Sequence, residues 1–582
     1  MEVRTGVGPP PAGGGLGAGK STSSSRAARA TAVPWARFSA WLECVCVVTF
    51  DLELGQALEL VYPSNFQLTD KEKSSICYLS FPDSHSGCLG DTQFSFRMRQ
   101  CGGQRSPWHA DDRSYNSRAP LSLQREPAHY LGFVYFRQVK DSSVKRGYFQ
   151  KSLVLVSRLP FVRLFQSLLS LIAPEYFEKL APCLEAVCNE IDQWPAPMPG
   201  QILNLPIMGV VIQVRIPSRL DKLESSPPKQ CDQEHLCSRE PPDLPNCPTL
   251  PCPRCFRPVL THVQTLWELM LLGEPLVVLA PSPDMSSELV LALTSCLQPL
   301  KFCCDFRPYF TIHDSEFKEL TTRTQAPPNV VLGVTNPFFI KTLQHWPHVL
   351  RIGEPKMSGD LPKQIKLKKP SRLKTLDTKP GLYTLYTAHL HRDKALLKRL
   401  LKGVQKKRPW DAQSALLRRH LLELTQSFII PLVRRAGVPL TWPVSQSPPQ
   451  IRPFRQDEFL HSLEHAGPQL TCILKGDWLG LYRKFFKSPH FDGWYRQRHK
   501  EMAQKLEALH LEAICEADVE AWMKDKSEVE VVDLVLKLRE KLVRAQNHQL
   551  PVKEMTLHRA QLYIETVIGS LPKDLQAVLC PP

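Results

Sequence analysis

The hydrophobic period changes twice along this chain, and that succession limits its possible folds more than any single motif does. From Trp41 the pattern is one of short β runs. Cys44 to Phe50, a Gly55-Gln56 turn and Ala57 to Tyr62 closed by Pro63 read as a hairpin, and Tyr130 to Val139 with Gly147 to Val156 reads as a second. Helical spacing follows over Phe161, Leu164, Phe165, Leu168, Leu169 and Ile172, stopped by Pro174, with a further helix over Glu175 to Ile191 and one more strand over Met208 to Ile216. Antiparallel strands followed by helices predict an α+β unit over about 41–218.

From His262 helix and strand alternate. Helices are predicted at His262 to Leu272, Ser286 to Leu297 and Phe338 to His345, and strands at Leu276 to Ala280, Tyr309 to His313, Val330 to Val334 and Val349 to Ile352. Apolar strands between helices argue an α/β sheet. From Asp393 nearly everything reads as helix, including Gln413 to Ile429, Gln456 to Ala466, Tyr495 to Cys515 and Val529 to Arg544. The 582 residues are too many for one core, and 52 prolines point to long connections. The expected division is a disordered tail over 1–40, the α+β unit over 41–218 and a Pro- and Cys-rich insert over 219–253. The α/β unit with a basic linker over 254–388, a helical region over 389–510 and C-terminal helices over 511–582 complete it.

The charge is concentrated. Between Lys356 and Ile430 there are 18 Lys and Arg against 5 Asp and Glu, which holds most of the chain's net +16. Lys366, Lys368, Lys369 and Arg372 stand in the linker, and Lys394, Lys398, Arg399 and Lys402 alternate with leucines on an amphipathic helix. Two readings stand for this segment: a solvated face on a core-packed helix, or a weak contact with an anionic membrane. Nucleic acid is not expected as a partner, because no interleaved aromatics and no nucleic-acid-binding motif accompany the basic residues. No apolar run is long enough to span a bilayer, and the scattered cysteines read as reduced thiols of a cytoplasmic protein.

Motifs of catalysis fail on context. Gly14 to Ser21 fits the letters of a phosphate loop, yet three prolines precede it and a Ser-rich tract follows where a strand and a helix are required. His461-Ser462-Leu463-Glu464-His465 fits a zinc expression without a third ligand. His391-Arg392-Asp393 copies a kinase triplet but has Lys398 where a metal-binding Asn belongs. Cys252-Pro253-Arg254-Cys255 is the best metal candidate, but no second pair of the right spacing exists, so a reduced insert is the leading reading and zinc the alternative. No catalytic residue, metal or cofactor is assigned.

Trp41-Leu42-Glu43-Cys44-Val45-Cys46-Val47-Val48-Thr49-Phe50-Asp51, with Gly55-Gln56 and Leu60-Val61-Tyr62-Pro63, resembles the opening of the DENN domain family. Trp267-Glu268-Leu269, Leu272-Gly273-Glu274-Pro275-Leu276, Pro308-Tyr309-Phe310-Thr311-Ile312, Thr335-Asn336-Pro337-Phe338-Phe339 and Ser488 to Tyr495 continue the likeness, which covers nearly everything after Trp41. The resemblance implies a bilobal module, with a longin-like antiparallel-sheet lobe and a central α/β lobe, followed by an all-helical C-terminal region. It further implies a guanine-nucleotide exchange factor that promotes GDP release from a Rab-family small GTPase of endocytic recycling, without covalent chemistry. Recruitment from the cytoplasm to recycling endosomes would follow. A non-catalytic Rab effector or trafficking scaffold is the alternative. Lys229 to Arg254 and Val433 to Pro448 depart from the family pattern and resemble alternative-exon segments. Open α/β sheets bind partners at strand ends, which singles out Asp314 and Glu316 in one turn and Asn336 and Phe338 in another as partner-binding candidates. Either turn can equally be a helix cap.

Overall fold

The computed structural model describes residues 35–51, 55–83, 90–101, 109–142, 147–219, 254–322, 326–354, 364–369, 379–435, 453–466, 475–516, 526–546, 552 and 554–579. After the short helix α1 (Phe38–Trp41), five strands form one antiparallel sheet: β1 (Cys44–Asp51), β2 (Gly55–Tyr62), β3 (Gly90–Arg99), β4 (His129–Lys140) and β5 (Tyr148–Ser157), in the order β2-β1-β5-β4-β3. Side chains alternate across a strand, so the apolar run of β1 feeds two cores at once. Cys44, Cys46 and Val48 pack on one face, beneath α2 (Asp70–Leu79), while Val45 and Val47 pack on the other against α4 (Val162–Lys179) and α5 (Ala181–Asp192). A side chain at Gly132 on β4 would place its Cβ 2.2 Å from the Phe96 ring, so glycine is required there.

Four features differ from the sequence reading. Pro174 does not stop α4, which runs on to Lys179 because Ile172, Ala173 and Tyr176 are buried on either side of the missing hydrogen bond. The break comes at Leu180, where φ is +59°. The expected lone strand at Met208 to Ile216 is the second half of a hairpin, β6 (Ile202–Ile207) and β7 (Val210–Arg215), whose two-residue turn Met208-Gly209 has positive φ at both positions. The strands start as the turn ends. Also unforeseen are α2 and α3 (His109–Arg118), which are mostly polar, and β3, whose Phe94, Phe96 and Met98 do alternate with polar residues.

In the central lobe a 3₁₀ segment (Arg254–His262) leads into α6 (Val263–Leu272), β8 (Leu276–Leu279), α7 (Pro283–Ser295), β9 (Asp305–Arg307), α8 (Phe317–Thr321), β10 (Val330–Val334), α9 (Phe338–Thr342) and β11 (His348–Arg351). β12 (Lys366–Lys368) and β13 (Gly381–Thr384) complete a sheet of order β12-β13-β11-β8-β10-β9, in which β11, β8, β10 and β9 are parallel. The fourth difference is the position of β9. The strand expected at Tyr309 to His313 lies instead at Asp305–Arg307, because Tyr309 turns away to be buried in the first lobe.

Helices α10 (Lys394–Gln405), α11 (Trp410–Arg435), α12 (Gln456–Ala466), α13 (Trp478–Phe485) and α14 (Pro489–Glu516) share one core with α6 and β8. Every residue of α6 is buried. Trp267 Nε1 donates to Thr425 Oγ1 at 2.9 Å, and the Glu268 carboxylate accepts from the backbone N–H groups of His389 (2.8 Å) and Leu390 (3.0 Å) and from the Tyr386 hydroxyl (2.7 Å). Burial raises that carboxyl above the usual range, against those hydrogen bonds. A last core joins Leu511 of α14 to α15 (Glu528–Gln546), α16 (Glu554–Gly569) and α17 (Lys573–Leu579).

Candidate functional site

The edge strand β3 of the first sheet lies against α7 and β9 of the central lobe, and its buried Arg97 anchors the seam. The Arg97 guanidinium pairs with Asp305 and, at 3.1 Å, with Glu126, and sits 4.4 Å from the centroid of the Phe306 ring. Its carbonyl oxygen accepts from Arg307 Nη1 at 3.1 Å. Arg307, almost fully buried, pairs with Glu316 and with Asp305 (3.1 Å), while Arg99 reaches Glu316 at 3.0 Å. Burial alone would raise the Asp305 carboxyl, but Arg307 and Arg97 outweigh it and hold it below its ordinary value. His129 Nδ1 accepts from Arg97 Nη2 at 3.0 Å, which leaves its proton on Nε2, 3.7 Å from Asp305. Burial, then Arg97 and Arg307, push this imidazole down to about 3. Each charge has an opposite partner within the network, which bridges the two lobes, while Arg97 Nε, Arg307 Nε and His129 Nε2 are buried without a hydrogen-bond partner among the described residues.

Above this network, Tyr309 crosses the seam. Its hydroxyl donates to the Phe81 carbonyl (3.1 Å) and accepts from the Asp83 N–H (2.8 Å), and its ring meets Phe94 edge-on at 5.2 Å. Thr335 Oγ1, just past β10, donates to Asp83 Oδ2 at 2.8 Å. On the rim, Tyr78 of α2 stacks on His313 with centroids 4.7 Å apart and planes 18° apart. Tyr78, Ile312 and His313 are exposed there, and both lobes contribute to the surface.

Asn336 and Phe338 follow the carboxyl end of β10, whereas Asp314 and Glu316 lie in the turn before α8, well past the end of β9 at Arg307, and the four do not point the same way. Asp314 Oδ1 accepts from the Glu316 N–H at 2.9 Å, and burial raises the Asp314 carboxyl despite that bond. Glu316 is buried against Arg307 and Arg99. Asn336 is buried, and its Oδ1 accepts from the Phe338 N–H at 3.0 Å. Phe338 alone of the four is exposed, at 51%. Behind it Phe339 packs on Phe310 (5.7 Å) and Phe317 (6.0 Å). Three of the candidates shape the turns and one faces outward. Sequence reasoning missed Tyr78, His313 and Arg97, since polar helix and strand ends carry no period; Ile312 stood in a quoted motif but was read as strand.

The basic segment divides as well. Lys366 and Lys369 are exposed on and beside β12, whereas Lys368 Nζ donates to the Lys379 carbonyl (2.9 Å) and lies near the Tyr383 hydroxyl (3.0 Å); Arg372 lies outside the described residues. Lys394, Lys398, Arg399 and Lys402 are exposed on α10, whose Leu400 and Val404 are buried in the shared core. Asp393 caps that helix, accepting from the Leu396 N–H at 2.9 Å. The phosphate-loop letters, Cys252 and most of the two divergent segments lie outside the described residues; His461 is exposed on α12, and the side chain of His465 is not described. Among the described residues no group of three His, Cys, Asp or Glu is placed to hold a metal, and no helix is long and apolar enough to cross a membrane.

Family models match at both ends: "Transport protein Avl9" over residues 42–181 and "DENND6 C-terminal domain" over 519–582. Protein DENND6B of Mus musculus is 88% identical over 586 residues, covering 100% of each chain. Protein DENND6B of Homo sapiens is 85% identical with the same coverage, and Protein DENND6A of Gallus gallus is 58% identical over 572 residues, or 98% of each chain. With a bilobal α+β and α/β module, a helical C-terminal region and this full-length identity, the chain belongs to the DENND6 family of DENN-domain proteins.

Proposed function

We propose that this chain is a guanine-nucleotide exchange factor for a Rab GTPase of endocytic recycling, and that the GTPase docks on the inter-lobe rim formed by Tyr78, Ile312, His313 and Phe338. Membership of the DENND6 family supports a role in Rab-dependent trafficking, and the match to a transport-protein model agrees with it. The observation that carries the reading is the rim itself: exposed apolar and aromatic side chains from both lobes, beside an ion-pair network that bridges the lobes. Aromatic anchors on a rigid base are what a protein interface uses for its central contacts. Asp314, Glu316 and Asn336 hold the turns that present them.

An exchange factor needs no acid, base or metal of its own. It accelerates GDP release by binding the nucleotide-free GTPase better than either nucleotide-bound form, since only differential affinity shifts an equilibrium. The exposed basic face of α10, with Lys366 and Lys369, supplies a weak electrostatic contact with the anionic membrane on which a lipid-anchored GTPase sits. Leu400 is committed to the core and Leu396 and Leu401 pack against it, so the helix offers the membrane its charges and not an apolar face.

A pulldown of Rab GTPases in the GDP-bound, GTP-bound and nucleotide-free states tests the reading. Preferential capture of the nucleotide-free form is expected. Preference for the GTP form would replace exchange with the effector reading.

A further inference from the structure

Helix α15 has two apolar faces, and its own domain uses one of them. Val531, Val535 and Leu538 are buried in the C-terminal core with α16 and α17, and Ala545 is buried near the end of the helix. On the opposite side Val529, Leu536 and Val543 are 78%, 53% and 55% exposed. Their spacing is seven residues, which keeps them on one stripe and is the repeat by which two helices pack along a shared seam. A stripe of this kind on an otherwise charged helix surface is a docking feature rather than scattered exposure.

Two properties of the stripe say what covers it. It is symmetric about Leu536, so an antiparallel copy sets Leu536 against the partner's Leu536 and Val529 against the partner's Val543. The charges are polarised about the same residue: Glu528, Glu530 and Asp533 precede it, while Lys537 and Arg544 follow it with Glu540 as the one acid; Arg539 and Lys541, also beyond it, are turned to Leu579 and His510 of the same chain, and Arg544 also lies 3.7 Å from Glu507. Antiparallel pairing therefore lays the acidic half of each helix along the basic half of the other, whereas parallel pairing would oppose like charges. From this we infer that α15 is a self-association surface, on which a second copy of this chain docks with a two-fold axis at Leu536.

The contact is isologous and closes on itself, giving a dimer and no filament. Within one chain Lys537 pairs with Asp533 at 2.6 Å and Arg544 with Glu540 at 2.5 Å. These are exposed bridges of small net value, so exchanging them for inter-chain pairs costs little. One helix pair is smaller than a standard stable interface, which makes the dimer weak and concentration-dependent.

Sedimentation equilibrium of the full chain over a wide concentration range tests this directly. The wild type is expected to pass from monomer to dimer, and Leu536→Glu to weaken the dimer by at least ~10-fold, with an unchanged circular-dichroism melt because the side chain is exposed. Cysteine cross-linking provides the orientation, with the wild type oxidised in parallel as the control for native thiols. Leu536→Cys should form a disulfide-linked dimer, and Val529→Cys should link to Val543→Cys in a mixture but not to itself. A monomer at every concentration, a dimer indifferent to Leu536→Glu, or self-linking of Val529→Cys would each overturn the assignment.

Discussion

The Tyr309 hydroxyl, carried by the central lobe, donates to the carbonyl oxygen of Phe81 in the first lobe at 3.1 Å, and the Tyr309 ring is fully buried among first-lobe side chains. The two lobes thus share a core residue and should unfold together. Tyr309→Phe removes the hydroxyl's two hydrogen bonds at about 1–3 kcal/mol. Tyr309→Ala removes the ring as well, at roughly 3–5 kcal/mol. Denaturant titration should show a single transition for the wild type and a lower midpoint for each variant, in that order; an unchanged midpoint for Tyr309→Ala would deny the shared core.

Arg97 is buried and its partner Asp305 is half-buried, and their ion pair couples the two lobes. Arg97→Ala or Asp305→Ala alone should cost about 1–3 kcal/mol, because each removes a charged hydrogen bond while Asp305 keeps Arg307, and Arg97 keeps Glu126, as a second partner. The double variant should cost less than the sum by roughly 0.5–3 kcal/mol. Equilibrium unfolding of the four proteins measures this, and additive losses would mean the two side chains do not act as a pair.

His490 ties α14 to the loop before β9. Its Nδ1 accepts from the Cys303 N–H at 3.0 Å, so the ring is neutral in the folded chain, and burial pushes it from 6.5 down to about 4. Between those values the unfolded chain binds a proton that the folded chain refuses. Stability that is fully present above pH 6.5 should therefore fall as pH drops toward 4, by about 1.4 kcal/mol per pH unit for this group. His490→Gln keeps an acceptor for Cys303 but cannot titrate. Denaturation midpoints across this window should show a slope shallower by one proton, and an unchanged slope would place the protonation elsewhere.

On α10 the test is one of charge without structure. Lys394, Lys398, Arg399 and Lys402 are exposed, so changing Lys398 and Lys402 to Glu should alter stability by no more than about 0.5 kcal/mol. Co-sedimentation with phosphatidylserine vesicles should fall, since each basic residue near the surface contributes about 1 kcal/mol. Equal sedimentation of wild type and variant, or indifference to salt, would make this face a solvated one.

Sheet order and seam were less legible in the sequence than the elements themselves. The strands of β1, β8 and β10 were visible because a strand buried on both faces is a continuous apolar run. In β3 the apolar residues Phe94, Phe96 and Met98 alternate with Ser95, Arg97 and Arg99, so the strand itself is legible, but the burial of Arg97 on the polar face depends on Asp305, far along the chain. Tyr309 was read as strand for a related reason: local propensity favours β there, and only the first lobe's cavity pulls the ring away. At the candidate site the position of Asn336 past a strand end was legible, but Asp314 lies in the turn before α8 and not at a strand end, and which neighbours face outward is set by hydrogen bonds two residues on, from Glu316 and Phe338. Sequence spacing does not record that.

The central claim is that the rim accelerates nucleotide release. Fluorescent-GDP release from a panel of Rab GTPases, with the full chain and with Phe338→Ala, tests it most directly. Release from at least one Rab should run well above its intrinsic rate, and Phe338→Ala should lose roughly tenfold or more of it, with stability within about 0.5 kcal/mol of wild type. Release at the intrinsic rate for every Rab in the panel would contradict exchange, and full activity of Phe338→Ala would contradict the rim as its site.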